Sequence, residues 1–158
     1  MRCVRGWKFG AGCWRCIRDG WLVVMLQPMF FAGMATALAK EDVPGDLRQL
    51  AGLLMKSSLD ATNDVLREAR ASRWIAIEQT VRQQIKNMAV AALRSPVEVA
   101  AHTAAIVVAA IGGIELRAKQ WPELITGLLS SVNKTHLECL GYLCEELVRA
   151  DACAERGS

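Results

Sequence analysis

Apolar residues return every three or four positions through most of this chain, and short polar clusters interrupt them. That period belongs to helices rather than strands. A charged loop, Lys40-Glu41-Asp42-Val43-Pro44-Gly45, precedes Leu47, Leu50, Ala51, Leu54 and Ser58, the stripe of a helix near 46–59. Asp60-Ala61-Thr62-Asn63-Asp64 breaks it. The next block, about 64–93, is too long for one ordinary globular helix and reads as two. Trp74, Ile77, Val81, Ile85, Met88 and Ala92 trace its apolar face, with Arg73, Glu78, Arg82, Gln83, Lys86 and Asn87 around the others.

Ser95-Pro96-Val97-Glu98 has the form of a helix start. Ser95 is placed to accept an amide bond, Pro96 sits where no amide is needed, and Glu98 can reach back. The helix it opens, to about 114, is apolar nearly all round, which predicts cover on more than one side. Gly112-Gly113 near its end predicts a close neighbour. Trp121-Pro122 ends the following connection: the residue before a proline is driven out of helical geometry, which frees Trp121 to plug an adjacent face. Leu124, Ile125, Leu128, Leu129 and Val132 then form a stripe, and Thr135-His136-Leu137-Glu138 has the pattern of a second capping box. Leu137, Leu140, Gly141, Cys144 and Val148 line one face of the helix that follows. Neither helix can bury its stripe alone. Successive antiparallel pairs of this kind predict an all-α fold, an α-solenoid of about three HEAT-type units with second helices near 46–59, 96–114 and 136–148.

Composition supports this: 53% of the residues are hydrophobic and 22% charged, enough for a core and against disorder. The net charge of +3 is uneven, because residues 1–20 carry +4 and leave the body slightly acidic. No concentrated basic face exists there, which argues against nucleic acid as a partner. The six cysteines lie near the two ends and read as reduced thiols, with Cys139 and Cys144 buried in a helix. Cys13-Trp14-Arg15-Cys16 lacks the second ligand pair of a zinc site, so no metal or other cofactor is expected. Residues 20–39 are uncharged and have the outline of a signal or anchor, but Gln27 and Pro28 interrupt the run and argue against a membrane role. The segmentation is a head at 1–32 without assigned role, a repeat domain at 33–148 and a tail at 149–158.

Five segments, "DLRQLAGLLMKSSLDA", "RWIAIEQTVRQQIKNMAVAAL", "SPVEVAAHTAAIVVAAIGGIEL", "QWPELITGLL" and "LECLGYLCEEL", resemble in order the amino-terminal HEAT repeats of the importin-β (karyopherin) family. The resemblance implies a nuclear transport receptor, a fragment that binds the GTP form of the small GTPase Ran through the inner, second helices during import, in cytoplasm and nucleus. Importin-α or cargo would bind if further repeats exist, and nucleoporins are further partners of that family. Carried to those helices by polarity and position, the candidate partner-binding residues are Arg48, Lys56, Glu98, His102, Glu138, Glu145 and Glu146, all expected to be exposed. The family's first helix pair would precede Met34, where residues 1–32 do not match it, and later repeats do not follow. A short array is expected to leave an apolar flank that favours self-association. The alternative is a truncated, non-catalytic helical scaffold or remnant without a complete transport cycle.

The chain has no phosphate-binding glycine loop, no His-Glu-x-x-His and no Gly-x-Ser-x-Gly, so no enzyme activity and no catalytic residues are expected. His102 reads as a packed or surface histidine with an ordinary hydrogen bond, and His136 as a solvated one. Trp74 and Trp121 read as core plugs.

Overall fold

The computed structural model describes residues 28–130 and 133–156, with side-chain environments given as far as 149. The described residues form helices joined by short turns, with no strand among them. In chain order these are α1 (Pro28–Ala39), α2 (Gly45–Leu59), α3 (Asp64–Ala76), α4 (Gln79–Ala92), α5 (Glu98–Arg117), α6 (Glu123–Ser130) and α7 (Lys134–Arg156). The CxxC motif and the basic head lie outside the described residues.

The helices divide into two layers. α2, α5 and α7 lie side by side in series, α5 between the other two. α1 packs on α4, and a groove lined by both α4 and α6 separates those two in the other layer. Each hairpin, α1 with α2, α4 with α5 and α6 with α7, joins the layers. Apart from α5, the helices are apolar on part of their surface, and burial on both a hairpin partner and the next unit is the stable solution for such a set.

The 64–93 block is two helices, as its length requires. The break falls at Ile77 and Glu78, both in extended geometry. Phe31, Ala35 and Leu38 of α1 are buried, and Phe31 meets the Trp74 ring edge-on at 5.4 Å. Among the described residues, the helical body takes in Pro28–Ala39. This packing also absorbs the described part of the uncharged 20–39 run into the core. α5 is the one described helix long and apolar enough to cross a membrane, but 78% of that span is buried inside the stack. Its position between α2 and α7 explains why it is apolar all round.

Two close approaches set the spacing of the second-helix layer. A Cβ on Gly52 of α2 would stand 2.4 Å from Thr103 Cγ2 of α5. One on Gly112 of α5 would stand 2.6 Å from Leu124 Cδ2 and 2.9 Å from Leu143 Cδ1. Glycine at these points lets the backbones approach without displacing a neighbour.

Both predicted capping boxes fail in detail. α5 begins at Glu98, with Val97 in the capping position, and Ser95 Oγ accepts only from the Val97 amide at 3.3 Å. Glu98 turns outward and is 84% exposed. At α7 the cap is Asn133, whose Oδ1 accepts from the His136 amide at 2.8 Å. Asparagine is as good a cap as threonine, and Asn133 immediately precedes Lys134, whereas Thr135 lies inside the helix.

Candidate functional site

α5 and α7 bring polar side chains together on the open side of the second-helix layer. Glu98 and His102 stand four residues apart on α5, and Lys134, Glu138 and Tyr142 follow the same spacing on α7. Four-residue spacing puts each set on one helical face. His102 Nδ1 lies 3.3 Å from Glu138 Oε2, and the Tyr142 ring meets the imidazole edge-on at 5.8 Å. Lys134 Nζ donates to Glu98 Oε1 at 3.1 Å and lies 3.9 Å from Glu138 Oε1. The hydrogen bond to Glu98, then the charges of Glu98 and Glu138, hold the Lys134 proton more tightly than in a free lysine. Gln49 of α2, Val99 and Thr135 complete a shallow groove of about 280 Å³. It is open, so it suits a few side chains of a macromolecular partner better than an enclosed small molecule.

Three of the seven candidate residues, Glu98, His102 and Glu138, therefore meet in one place. Lys56 and Glu146 belong to a second polar cluster, centred on Asp60 at the end of α2. Lys56 Nζ lies 2.9 Å from Asp60 Oδ2, and Arg149 Nη1 lies 3.3 Å from the same oxygen and 3.4 Å from Glu146 Oε1. Arg67 reaches Asp60 Oδ1 at 3.3 Å, and Arg70 donates to the Asp60 carbonyl. Partial burial opposes ionisation of Asp60. The Lys56 hydrogen bond and the charges of Lys56, Arg149 and Arg67 outweigh it and keep the carboxyl below its ordinary range. Glu145 is exposed and apart from both clusters.

Arg48 is not a surface residue. It is fully buried, and its Nε donates to the Leu38 carbonyl at 2.8 Å, tying α2 to the end of α1. The stripe assigned to α2 hid this, because the face that packs runs through Arg48, Ala51, Gly52, Met55 and Leu59. A buried arginine inside an apolar set carries no mark in a hydrophobic pattern. His136 is likewise buried rather than solvated, with Nδ1 2.6 Å from Asn133 Oδ1. Burial, and then the charge of Arg94, lower its proton affinity. Cys139 is buried as expected, and burial pushes its thiol up to about 12, but Cys144 is exposed.

The sequence reading also missed a buried ionic cluster. Glu115 of α5 is fully buried, and Oε1 accepts from Trp74 Nε1 at 3.0 Å and from Arg82 Nη1 at 2.8 Å. Oε2 accepts from Lys86 Nζ at 2.6 Å. Arg82 Nη1 also donates to Gln120 Oε1 at 2.5 Å and its Nε to the Ile77 carbonyl at 3.0 Å, while Lys86 lies 4.7 Å from the centre of the Trp121 ring. Trp74 and Trp121 are the plugs expected of them, and here they also cover this cluster. The signal was a carboxylate at the end of the long apolar run of α5: a buried charge demands partners, and Arg82 and Lys86 supply them. Among the described residues, no group of three or more His, Cys, Asp or Glu is placed to hold a metal ion.

No protein-family model matches the chain. Importin subunit beta-1 of Arabidopsis thaliana is 40% identical over 125 residues, which is 75% of this chain and 14% of that protein. The Schizosaccharomyces pombe importin subunit beta-1 is 31% identical over 122 residues, 72% of this chain and again 14% of the relative. The chain thus spans a small fraction of the curated relatives it matches. Among solved structures, yeast importin-beta (Kap95p) superposes with a TM-score of 0.75 at 28% identity, covering 88% of this chain and 17% of that one. A Kap95:Nup1 complex gives 0.72 at 30% identity, covering 84% and 16%. The complex in which Kap95p binding induces the switch loops of RanGDP to adopt the GTP-bound conformation gives 0.69 at 28%, covering 83% and 16%.

Proposed function

The chain belongs to the importin-β family, and on that premise we propose that it is a piece of a nuclear transport receptor that docks the GTP form of the small GTPase Ran on the open face of α2, α5 and α7. The observation that carries this reading is the second-helix layer itself. Three helices lie in series, and Glu98, His102, Lys134 and Glu138, with Gln49 of α2, line a groove on their open side. Kap95p, whose fold this chain shares, binds RanGDP and turns its switch loops to the GTP-bound conformation. A surface that stabilises one conformation must bind it more tightly than the other. The same preference is the functional point here: tight binding of the GTP form and weak binding of the GDP form. Work in the cytoplasm and nucleus, and contact with nucleoporins, importin-α or cargo, belong to the same proposal for longer arrays.

The test is capture of Ran loaded with a non-hydrolysable GTP analogue or with GDP, using the purified chain as bait. Retention of the GTP form alone, reduced tenfold or more when Glu98 and Glu138 are both changed to Lys, is the expected result; rim charges act strongly on association rate and salt dependence. Equal retention of both forms, or of neither, ends the proposal. Retention of neither favours the second reading, a helical scaffold without a transport cycle.

A further inference from the structure

In the groove between α5 and α7, Lys134 is held across the helix boundary. Its Nζ donates to Glu98 Oε1 at 3.1 Å and lies 3.9 Å from Glu138 Oε1. Glu138 is oriented for this, because its other oxygen lies 3.3 Å from His102 Nδ1. Glu98 and Lys134 are 84% and 77% exposed, so water competes for both and the pair opens easily. Helix stability does not call for a cation at this position. Lys134 is the first residue of α7, where the helix dipole disfavours positive charge. The rest of the lining, Gln49, Val99, His102 and Thr135, holds no further lysine or arginine. With Lys134 swung away, the groove keeps two carboxylates from neighbouring helices.

We propose that Lys134 is an internal competitor: it occupies the carboxylate pair that a basic side chain of the docked GTPase takes over on binding. This rests on the groove being the docking site, and it names the group that enters and the group that holds its place. A basic side chain fits on charge. It exchanges one cation for another, so neither carboxylate is left uncompensated as water leaves the interface. An acidic group would instead meet Glu98 and Glu138 as like charges. Lys134 can leave because its stem is flexible and its end lies in water. The groove is competent only while the lysine is out, and apparent affinity falls by that fraction. An exposed ion pair is closed about one to five times as often as it is open. Removing the lysine should therefore tighten docking about two- to sixfold.

Isothermal titration calorimetry of the full chain against Ran loaded with a non-hydrolysable GTP analogue tests this, with circular dichroism as the check on each variant's fold. Lys134→Met should bind about two- to sixfold more tightly than the unaltered chain. The same change added to Glu98→Gln and Glu138→Gln should bring no gain, because no carboxylate pair remains to be released. Affinity unchanged or weakened by Lys134→Met overturns the proposal, and weakening would show that Lys134 itself touches the partner. A gain that persists beside both glutamines overturns it too, since it would report only the loss of one positive charge. Absence of binding by the unaltered chain and by Lys134→Met alike ends the docking reading itself, and the competitor role with it.

Discussion

Glu115 shows how one residue can hold three elements. Its two oxygens receive Trp74 from α3 and Arg82 and Lys86 from α4. Removing one member of a buried ion set leaves the others charged and unpaired, at a cost of about 3–5 kcal/mol. Glu115→Leu should therefore lower unfolding stability by that order in urea titration. The triple change Glu115→Leu, Arg82→Met and Lys86→Met should recover most of the loss, since no orphan charge remains. Two other groups set the response to acid. His136 has a lowered folded-state pKa, so the fold favours its neutral form. Its contribution is complete above the unfolded value of about 6.5 and is lost as pH falls through the folded value. Asp60 has a lowered folded-state pKa as well, so its contribution stands above about pH 4 and is lost below it. Melting temperature measured against pH should fall in two steps, the first one weaker in a His136→Gln variant. Stability unchanged between neutrality and pH 3 would contradict both assignments.

At the scale of the element, the end of α5 decides where the chain turns back. Lys119 has φ 56, the left-handed region, and is the one such non-glycine among the described residues. Its amide bonds the Leu116 carbonyl at 3.0 Å, and the Gln120 amide bonds the Glu115 carbonyl at 2.8 Å. This is the Schellman ending, normally built on glycine. It returns Gln120 and Trp121 over Arg82 and Lys86, so the turn and the ionic cluster depend on each other. Lys119→Gly removes the strain of a side chain at positive φ and should stabilise by about 1 kcal/mol, a rise of roughly 2–4 °C in Tm by calorimetry. Helices α2 to α7 were legible from the 3.6-residue period, including the division of 64–93 into two, whereas α1 lay in the uncharged run and was not read as a helix. The buried faces of α2 and α7 were legible only in part. Their longest leucine stripes, through Leu47 and Leu50 and through Leu137, face outward. A pattern reports that a face is apolar, not which neighbour covers it.

Across the whole molecule, stability should be graded along the stack. In a linear array each unit is held by its neighbours, so the central helix has the most cover and the ends the least. Hydrogen exchange should be slowest in α5 and fastest in the short α6 and the end of α7. Uniform protection would show instead that the stack opens as one unit. The candidate groove follows the same logic. Glu98 and Lys134 are 36 residues apart in the chain, and they meet because α5 and α7 are neighbours in one layer.

The order of the amino acids alone determined that this chain is helical, that its helices come in pairs, and that the pairs must stack, because local periodicity and turn chemistry act over a few residues. It also carried the resemblance, since those motifs are local. The tertiary structure decided that Arg48 and His136 are buried, that Arg82 and Lys86 converge on Glu115, and that Glu98, His102 and Glu138 share a groove. A charged side chain reads the same in sequence whether water or a carboxylate solvates it. Only the packing of distant helices fixes which of the two it meets.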